Sequence, residues 1–403
     1  MTSAFAPFAG LKVLDLSRLL PGPWASALLA EHGATVIKIE DPARGDYSRY
    51  NAPFVDGESV YFHAVNRHKL GIRLDLKSPE GREAFLALVR EADVVMEAFR
   101  PGVLASLDLG YELLAAENPG IILCSLTGFG QRGPFAGAAG HDLNVAGVAG
   151  LLKFEGGRPV VPAIQMADFA AASNMVTSVL AALGERSRTG HGCWLDVAML
   201  DSLLSWAVIR HSGVLAELAG SEDRSLIEAF GGNPRYNVYE CADGRWVSVS
   251  LLETKFWARF CTAMDHPELI DPEETDADRL STHGEAGATY RRFLTETFLE
   301  RPRDEWVVYL QSLDLPCFPV YQPEEVWDDP HVQARGMLQR VTPESDGISD
   351  RDPTFRAIAS PVLPLSHGGR ADRATRFREV GLDEARQALA AATSDVPDQG
   401  VKP

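Results

Sequence analysis

Leu11-Lys12-Val13-Leu14-Asp15-Leu16, then Pro21-Gly22-Pro23, then Ala34-Thr35-Val36-Ile37-Lys38-Ile39-Glu40 is the stretch that decides the fold. Its two ends are short, branched and apolar, the texture of buried strands. Pro21-Gly22-Pro23 punctuates the turn into a helix from Trp24 to His32, and Gly33 stops it. Strand, helix and strand in this order make a βαβ unit, which brings strand ends and a helix N-terminus to one edge of a parallel sheet, where nucleotide-like ligands dock. The unit carries no Gly-x-Gly-x-x-Gly, which argues against a dinucleotide cofactor.

Working outward, the alternation continues. After a polar loop from Asp41 to Gly57 with Arg44 and Arg49, Gly71-Ile72-Arg73-Leu74-Asp75-Leu76 reads as a strand. Ser78 and Glu80 open a helix over 79–89, and Asp93-Val94-Val95-Met96-Glu97 is the next strand. A helix around Leu104–Leu109 and a strand over 119–126 complete a doubly wound α/β sheet. Phe169–Leu183 is Ala-rich and apolar enough for a helix buried on most sides, with Arg186–Gly192 as its polar exit, and Trp194–Met199 returns to strand. The texture then turns polar and glycine-bearing from Gly220 to Asn233, a linker into a second domain. There Tyr236–Glu240, Asp243-Gly244 and Trp246–Ser250 read as a hairpin, helices follow at Lys255–Met264 and Thr289–Glu300, and Pro316–Val320 is strand-like. The expected domains are 1–219, an inserted 220–323, and 324–403 returning to the first, with a loosely ordered tail beyond Ser394. There is no internal repeat.

The 403 residues, 45% apolar and 23% charged, have the composition of a globular enzyme large enough for two cores. A formal net charge of −18 excludes a nucleic-acid partner, which needs a basic face, but not a small polyanion held by local cations. The five cysteines form no CxxC pair, so neither a metal site nor a disulfide framework is expected. Apolar runs are interrupted before they reach the roughly 20 residues of a membrane span, and the N-terminus lacks the basic and apolar regions of a secretory signal. The expectation is a cytoplasmic protein with no membrane partner.

Three side chains could carry chemistry. Asp168 stands where a helix should begin; the plainer reading is an N-cap, but the same place holds a carboxylate still. His141, in Gly140-His141-Asp142-Leu143-Asn144, titrates near neutral pH, and the plainer reading is a satisfied buried histidine. Glu253 lies between a strand and a helix, where a first-turn helix charge is the plainer reading.

Taken together, Pro21-Gly22-Pro23, Gly33-Ala34, Asn66–Lys69, Phe99-Arg100-Pro101-Gly102-Val103, Gly128-Phe129-Gly130-Gln131-Arg132-Gly133-Pro134, Thr189-Gly190-His191-Gly192 and Asp328-Asp329-Pro330-His331 resemble the CaiB/BaiF family, the family III CoA-transferases and α-methylacyl-CoA racemases. The resemblance covers nearly the whole chain. It implies a Rossmann-like large domain closed by both chain ends, a smaller inserted α+β domain, and an interlocked homodimer acting on acyl-CoA, with coenzyme A part of the substrate and no permanently bound cofactor. It implies that Asp168 is the transferases' nucleophile or one of the racemases' two bases, His141 the second base, and Glu253 the partner of that histidine. Gly-His-Asp resembles the racemase branch, so two-base racemisation of a 2-methylacyl-CoA is the first expectation, with backbone N–H groups at the start of the Phe169 helix stabilising the enolate oxygen. Intermolecular CoA transfer through an aspartyl-CoA intermediate is the second, and a CoA-binding protein without catalysis the third. Two departures stand out: Phe169-Ala170-Ala171-Ala172 replaces a Phe followed by three glycines, and Asp41 stands where many relatives have a phosphate-binding arginine. Arg100, Lys69, Lys38 and Arg44 are then the expected CoA contacts.

Overall fold

The computed structural model describes residues 5–221, 231–275, 278, 281–342, 355–359, 361 and 373–392. The expected linker at 220–233 lies largely outside these residues, and the tail beyond Ser394 wholly so. The chain forms two compact units, Met1–Ala207 with Gln333–Pro403, and Val208–Val332. The packing therefore breaks ahead of the polar stretch at 220 and closes after Glu324.

In the first unit, β1 (Lys12–Asp15), β2 (Thr35–Glu40), β3 (Leu70–Arg73), β4 (Val94–Glu97), β5 (Ile122–Thr127) and β6 (Trp194–Ala198) form a sheet with β13 (Arg378–Glu379) on its edge. The order is β6-β5-β4-β1-β2-β3-β13, and all its pairings are parallel. Strand succession thus reverses between β1 and β4, which opens a crevice beyond their carboxyl ends. Successive residues feed opposite cores. Val13, Val36, Val94 and Met96 face one side, against α1 (Pro21–Glu31) and α5 (Met166–Thr189). Leu14, Ile37 and Val95 face the other, against Phe85 and Leu88 of α3 (Pro79–Val89) and Leu389 of α10 (Leu382–Ala391). Burial on both faces explains why Val13-Leu14, Val36-Ile37 and Val94-Val95-Met96 are apolar at successive positions instead of alternating.

The helix starts follow local chemistry. Ser78 Oγ caps α3 by accepting from Gly81 N at 2.9 Å, with Pro79 in its first turn. Gly22 is required at the start of α1, because a Cβ there would overlap the Ser17 side chain. Helix α5 is longer than the apolar periodicity indicates. It begins at Met166 and continues through Arg186 and Arg188 to Gly190, whose φ of 76° supplies the left-handed cap. It is long and apolar enough to cross a membrane, yet Ala167, Ala170, Ala171, Ala172, Met175 and Val179 are all buried in the first core. Several short helices escaped sequence reading, among them α2 (Val60–Asn66), α4 (Asp142–Val148) and those over Tyr111–Glu117 and Ser212–Leu218, whereas α6 (Met199–Trp206) follows directly on β6. Three further strands, β10 (Leu338–Thr342), β11 (Phe355–Ile358) and β12 (Arg373–Thr375), form a small sheet of their own.

The second unit is an antiparallel sheet, β7 (Tyr236–Glu240), β8 (Trp246–Ser250) and β9 (Cys317–Val320), with the expected hairpin as its first pair. Helices α7 (Thr254–Ala263), α8 (Gly284–Phe298) and α9 (Arg303–Ser312) supply Trp257, Phe260, Phe298, Trp306 and Leu310 to its core.

Candidate active site

The carboxyl end of β1 is tied down by a buried ionic cluster. Asp15 accepts from Ser17 N at 2.9 Å, from Ser26 Oγ of α1 at 2.6 Å and from Lys69 Nζ at 3.0 Å. Lys69 also donates to Pro23 O and to Asn66 Oδ1, and Lys38 donates to Ser17 O and pairs with Asp46 at 2.9 Å. All four charged side chains are fully buried. Burial pushes the Asp15 carboxyl up, but Lys69 and Lys38, helped by Ser17 and Ser26, overcome it and hold the group well below the usual carboxylate range. The cluster locks β1, the start of α1, β2 and the loop after β2 into one rigid corner beside the crevice.

Two cavities open over that corner. The larger, about 480 Å3, lies at the reversal of strand order. Leu16, Ile39, Leu74 and Phe99 give it apolar walls, and Arg18, Arg44 and Lys77 bring cations to its rim. The second, about 350 Å3, is lined by Arg100, Gly128, His141, Asp168 and Met199. Arg18, Tyr47 and Phe99 line both, so the two cavities share a wall. The Arg18 guanidinium lies over both rings, 5.1 Å from the Tyr47 centroid and 5.3 Å from that of Phe99. The turn bearing Phe99 and Arg100 is held from below, where buried Glu97 accepts from Phe99 N at 2.6 Å. Burial pushes the Glu97 carboxyl up to about 7, against the bonds from Ser125 and Phe99 N, with the Asp196 charge adding to the rise.

Asp168 is the third residue of α5 rather than its cap, and Gln165 at the cap position makes no side-chain cap bond. The cap comes from another element. Asp142 Oδ1, in the first turn of α4, accepts from Ala167 N at 2.6 Å and from Asp168 N at 3.1 Å. Phe169 N is taken by Gln165 O at 3.1 Å. The first-turn donors expected to stabilise an enolate oxygen are therefore already engaged. Burial pushes the Asp168 carboxyl up to about 7, and the neighbouring Asp142 charge pushes the same way. Tyr61 of α2 lies nearby: burial, then the Asp168 and Asp46 charges, raise its phenol.

The structure brings Asp168, His141 and Arg100 to one cavity and Arg44 to the other. His141 is the cap residue of α4, exposed, its N–H bonded to Asn144 Oδ1 at 3.0 Å. Lys38 and Lys69 are corrected: their ammonium groups are saturated by Asp15, Asp46, Asn66 and carbonyl oxygens in the core, and neither lines a cavity. Asp41 shapes the cavity rim instead of repelling from it, since its Oδ1 accepts from Ala43 N and Arg44 N, both at 2.9 Å, and so fixes the turn that presents Arg44. Glu253 belongs to the second unit, as cap residue of α7, where its carbonyl accepts from Phe256 N and Trp257 N. Sequence reading missed Arg18, Tyr47, Phe99 and Asp142. The signals available were the adjacency of Asp142 to His141 and of Phe99 to Arg100 in the motifs that carry them. Among the described residues no cluster of three or more His, Cys, Asp or Glu could hold a metal ion.

A doubly wound unit with a nucleotide-sized cleft at its switch point and a raised carboxyl in the adjoining cavity is the layout of an enzyme acting on a nucleotide-tethered substrate. Residues 8–361 match CoA-transferase family III, and the chain belongs to that family. It is 36% identical over 343 residues to the succinate–glutarate CoA-transferase of Agrobacterium fabrum, covering 82% of this chain and 84% of that one. It is 32% identical over 355 residues to the human succinyl-CoA:glutarate CoA-transferase, covering 87% and 80%. A CaiB/BaiF family protein from Brucella suis superimposes with a TM-score of 0.75 at 31% identity over 96% of this chain and all of that one. Further relatives are likewise named for CoA transfer involving mesaconate, oxalate, L-malate or D-citramalate. These names overturn the expectation of a 2-methylacyl-CoA racemase. The Gly-His-Asp motif therefore pointed to the wrong branch of the family. The pairing of Glu253 with His141 belonged to racemisation and goes with it.

Proposed function

We propose that this enzyme moves coenzyme A from an acyl-CoA to a free carboxylic acid, with short dicarboxylic acids as donors and acceptors, through a thioester on Asp168. The observation that carries the reading is the raised carboxyl of Asp168 in a cavity that shares the Arg18, Tyr47 and Phe99 wall with the cleft at the strand reversal. The adenosine end of CoA takes the larger cavity, with Arg44 and Lys77 at its phosphates, and the pantetheine arm passes Tyr47 and Phe99 to bring the thioester to Asp168. Arg18 and Arg100 serve the anionic groups of CoA and of the acid.

The ionised Asp168 attacks the thioester carbonyl and expels the CoA thiolate, leaving a mixed anhydride. The thiolate then attacks the Asp168 carbonyl, breaking its bond to the bridging oxygen, so that the donor acid leaves as a carboxylate and CoA stays on the enzyme. An incoming carboxylate attacks this aspartyl thioester, and the same two steps in reverse deliver the new acyl-CoA. His141 orients the substrate carboxylate from the cavity wall. The relatives' substrates, succinate and glutarate, support the dicarboxylic class.

The chain also works as a homodimer in this reading. The exposed Phe154, Val161, Trp206, Ile209 and Leu218 support it, since a lone chain gains by covering such apolar surface. Mass spectrometry on enzyme with succinyl-CoA in heavy water, with and without glutarate, tests the chemistry. Glutaryl-CoA should form only with glutarate and carry no new α-deuterium. Exchange of the α-protons without transfer would sink the proposal. Light scattering should give twice the chain mass.

A further inference from the structure

The carboxylate that bridges from α4 to the start of α5 has no part in the two displacement steps, yet it governs the group that does. A carboxylate three residues into a helix is normally stabilised by the free N–H groups of the first turn. Here Asp142 Oδ1 takes the N–H groups of Ala167 and Asp168 itself, at 2.6 and 3.1 Å, and sets a second negative charge beside the nucleophile. We propose that Asp142 is a positioning residue that fixes the Asp168 backbone while destabilising the Asp168 anion, and so drives CoA onto the enzyme.

The inference rests on Asp168 being the carboxylate that carries CoA. Loading consumes that half-buried anion: enzyme carboxylate plus acyl-CoA gives enzyme thioester plus the free acid's carboxylate, which leaves for water. Whatever raises the free energy of the Asp168 anion therefore shifts the exchange towards the thioester. The same charge chooses between the two carbonyls of the anhydride. Attack by the thiolate on the acyl carbonyl would expel the Asp168 carboxylate into a site where it is disfavoured. Attack on the Asp168 carbonyl expels the donor acid instead, which has the ordinary carboxylate range of about 4. The intermediate is thus biased forward. The other groups facing Asp168 are His141 beside Asp142, Tyr61 from α2, and Arg18, Tyr47 and Arg100 on the cavity walls. Arg18 and Arg100 pull in the opposite sense to Asp142, and they become engaged when CoA binds.

Asp142→Asn keeps the size and an amide oxygen for the two N–H groups and removes only the charge. At a fixed ratio of succinyl-CoA to succinate, the ratio of aspartyl-CoA to free enzyme, read by intact-protein mass spectrometry, should fall about tenfold for each pH unit by which the Asp168 midpoint drops. The acid limb of kcat/KM should move to lower pH by the same amount. A merely structural Asp142 would lower kcat and leave both readouts in place, and that result overturns the proposal. Asp142→Ser, a neutral acceptor of a different shape, should shift both in the same direction. In the wild type the thioester level at fixed substrate ratio should begin to fall below neutral pH, and a break only near pH 4 refutes the inference. An enzyme that forms no adduct on Asp168 with any acyl-CoA would defeat the transfer reading itself, whereas an adduct indifferent to Asp142 would defeat only this one.

Discussion

Asp15, fully buried, and Asp168, half-buried, are both carboxyl groups beside the N-terminal turn of a helix in the same unit, and they end on opposite sides of the ordinary range. Burial raises both. At Asp15 two ammonium groups and two hydroxyls outweigh it, whereas at Asp168 the charge that adds to burial is another carboxylate, Asp142, which pushes the same way. The first is a fastening, and in the proposed reaction the second is the reagent. The difference shows that depth alone does not make a buried acid reactive; what matters is which charges the fold withholds from it.

The largest break in this comparison is Asp168→Ala, which should reduce CoA transfer on the order of 10^4-fold or more and abolish the thioester adduct while leaving the fold intact. Removing a charge on the other side has a structural effect instead. Lys69→Met strands Asp15 in the core and should cost about 3–5 kcal/mol in urea unfolding, part of which the double variant with Asp15→Asn recovers. An equal loss in the single and double variants would show that the pair is not coupled. Arg18→Ala, which empties the wall shared by the two cavities, should lower kcat/KM about 10- to 100-fold, mostly through KM for acyl-CoA. A wild-type KM would remove Arg18 from substrate binding.

Acidity sharpens the contrast further. The nucleophile must be ionised, so kcat/KM should fall about tenfold per pH unit once pH drops through the Asp168 midpoint near 7. Stability should slope the other way at this residue. Its folded midpoint lies above the unfolded one, so between about pH 4 and 7 the folded state holds more protons and loses stability as pH rises. Asp168→Asn should therefore be more stable than the wild type at pH 8 and equal to it at pH 4. Asp15, held low, gives its stabilisation in full above about pH 4 and loses it only in strong acid.

Much of the fold was legible in the residues. The strands at Lys12–Asp15, Thr35–Glu40, Val94–Glu97 and Ile122–Thr127 follow from apolar pairs and triplets at successive positions, such as Val13-Leu14, Val36-Ile37, Val94-Val95-Met96 and Ile122-Leu123-Cys124, because a parallel strand is buried on both faces. The Ser78 cap and the hairpin from Tyr236 to Ser250 follow from local backbone chemistry. Helices α2, α4 and α9 were not legible, since the first two are too short for a periodic stripe and Arg303–Ser312 buries only Arg303, Trp306 and Leu310. At the candidate site, Asp168, His141 and Arg100 could be named from motifs. The ammonium groups of Lys38 and Lys69 could not be placed, because a lysine in a motif reads the same whether it points to a ligand or into the core.

The sequence by itself determined the doubly wound sheet and the family and singled out Asp168 as the candidate carboxylate, because strand burial, turn residues and motif spacing are local properties. Only the tertiary structure decided what each charge is for. Asp15 meets Lys69 across 54 positions and Asp142 reaches Asp168 across 26. A carboxyl group's affinity for its proton is set by whatever stands within a few ångströms of it, and that is fixed when distant segments pack, not by its neighbours along the chain.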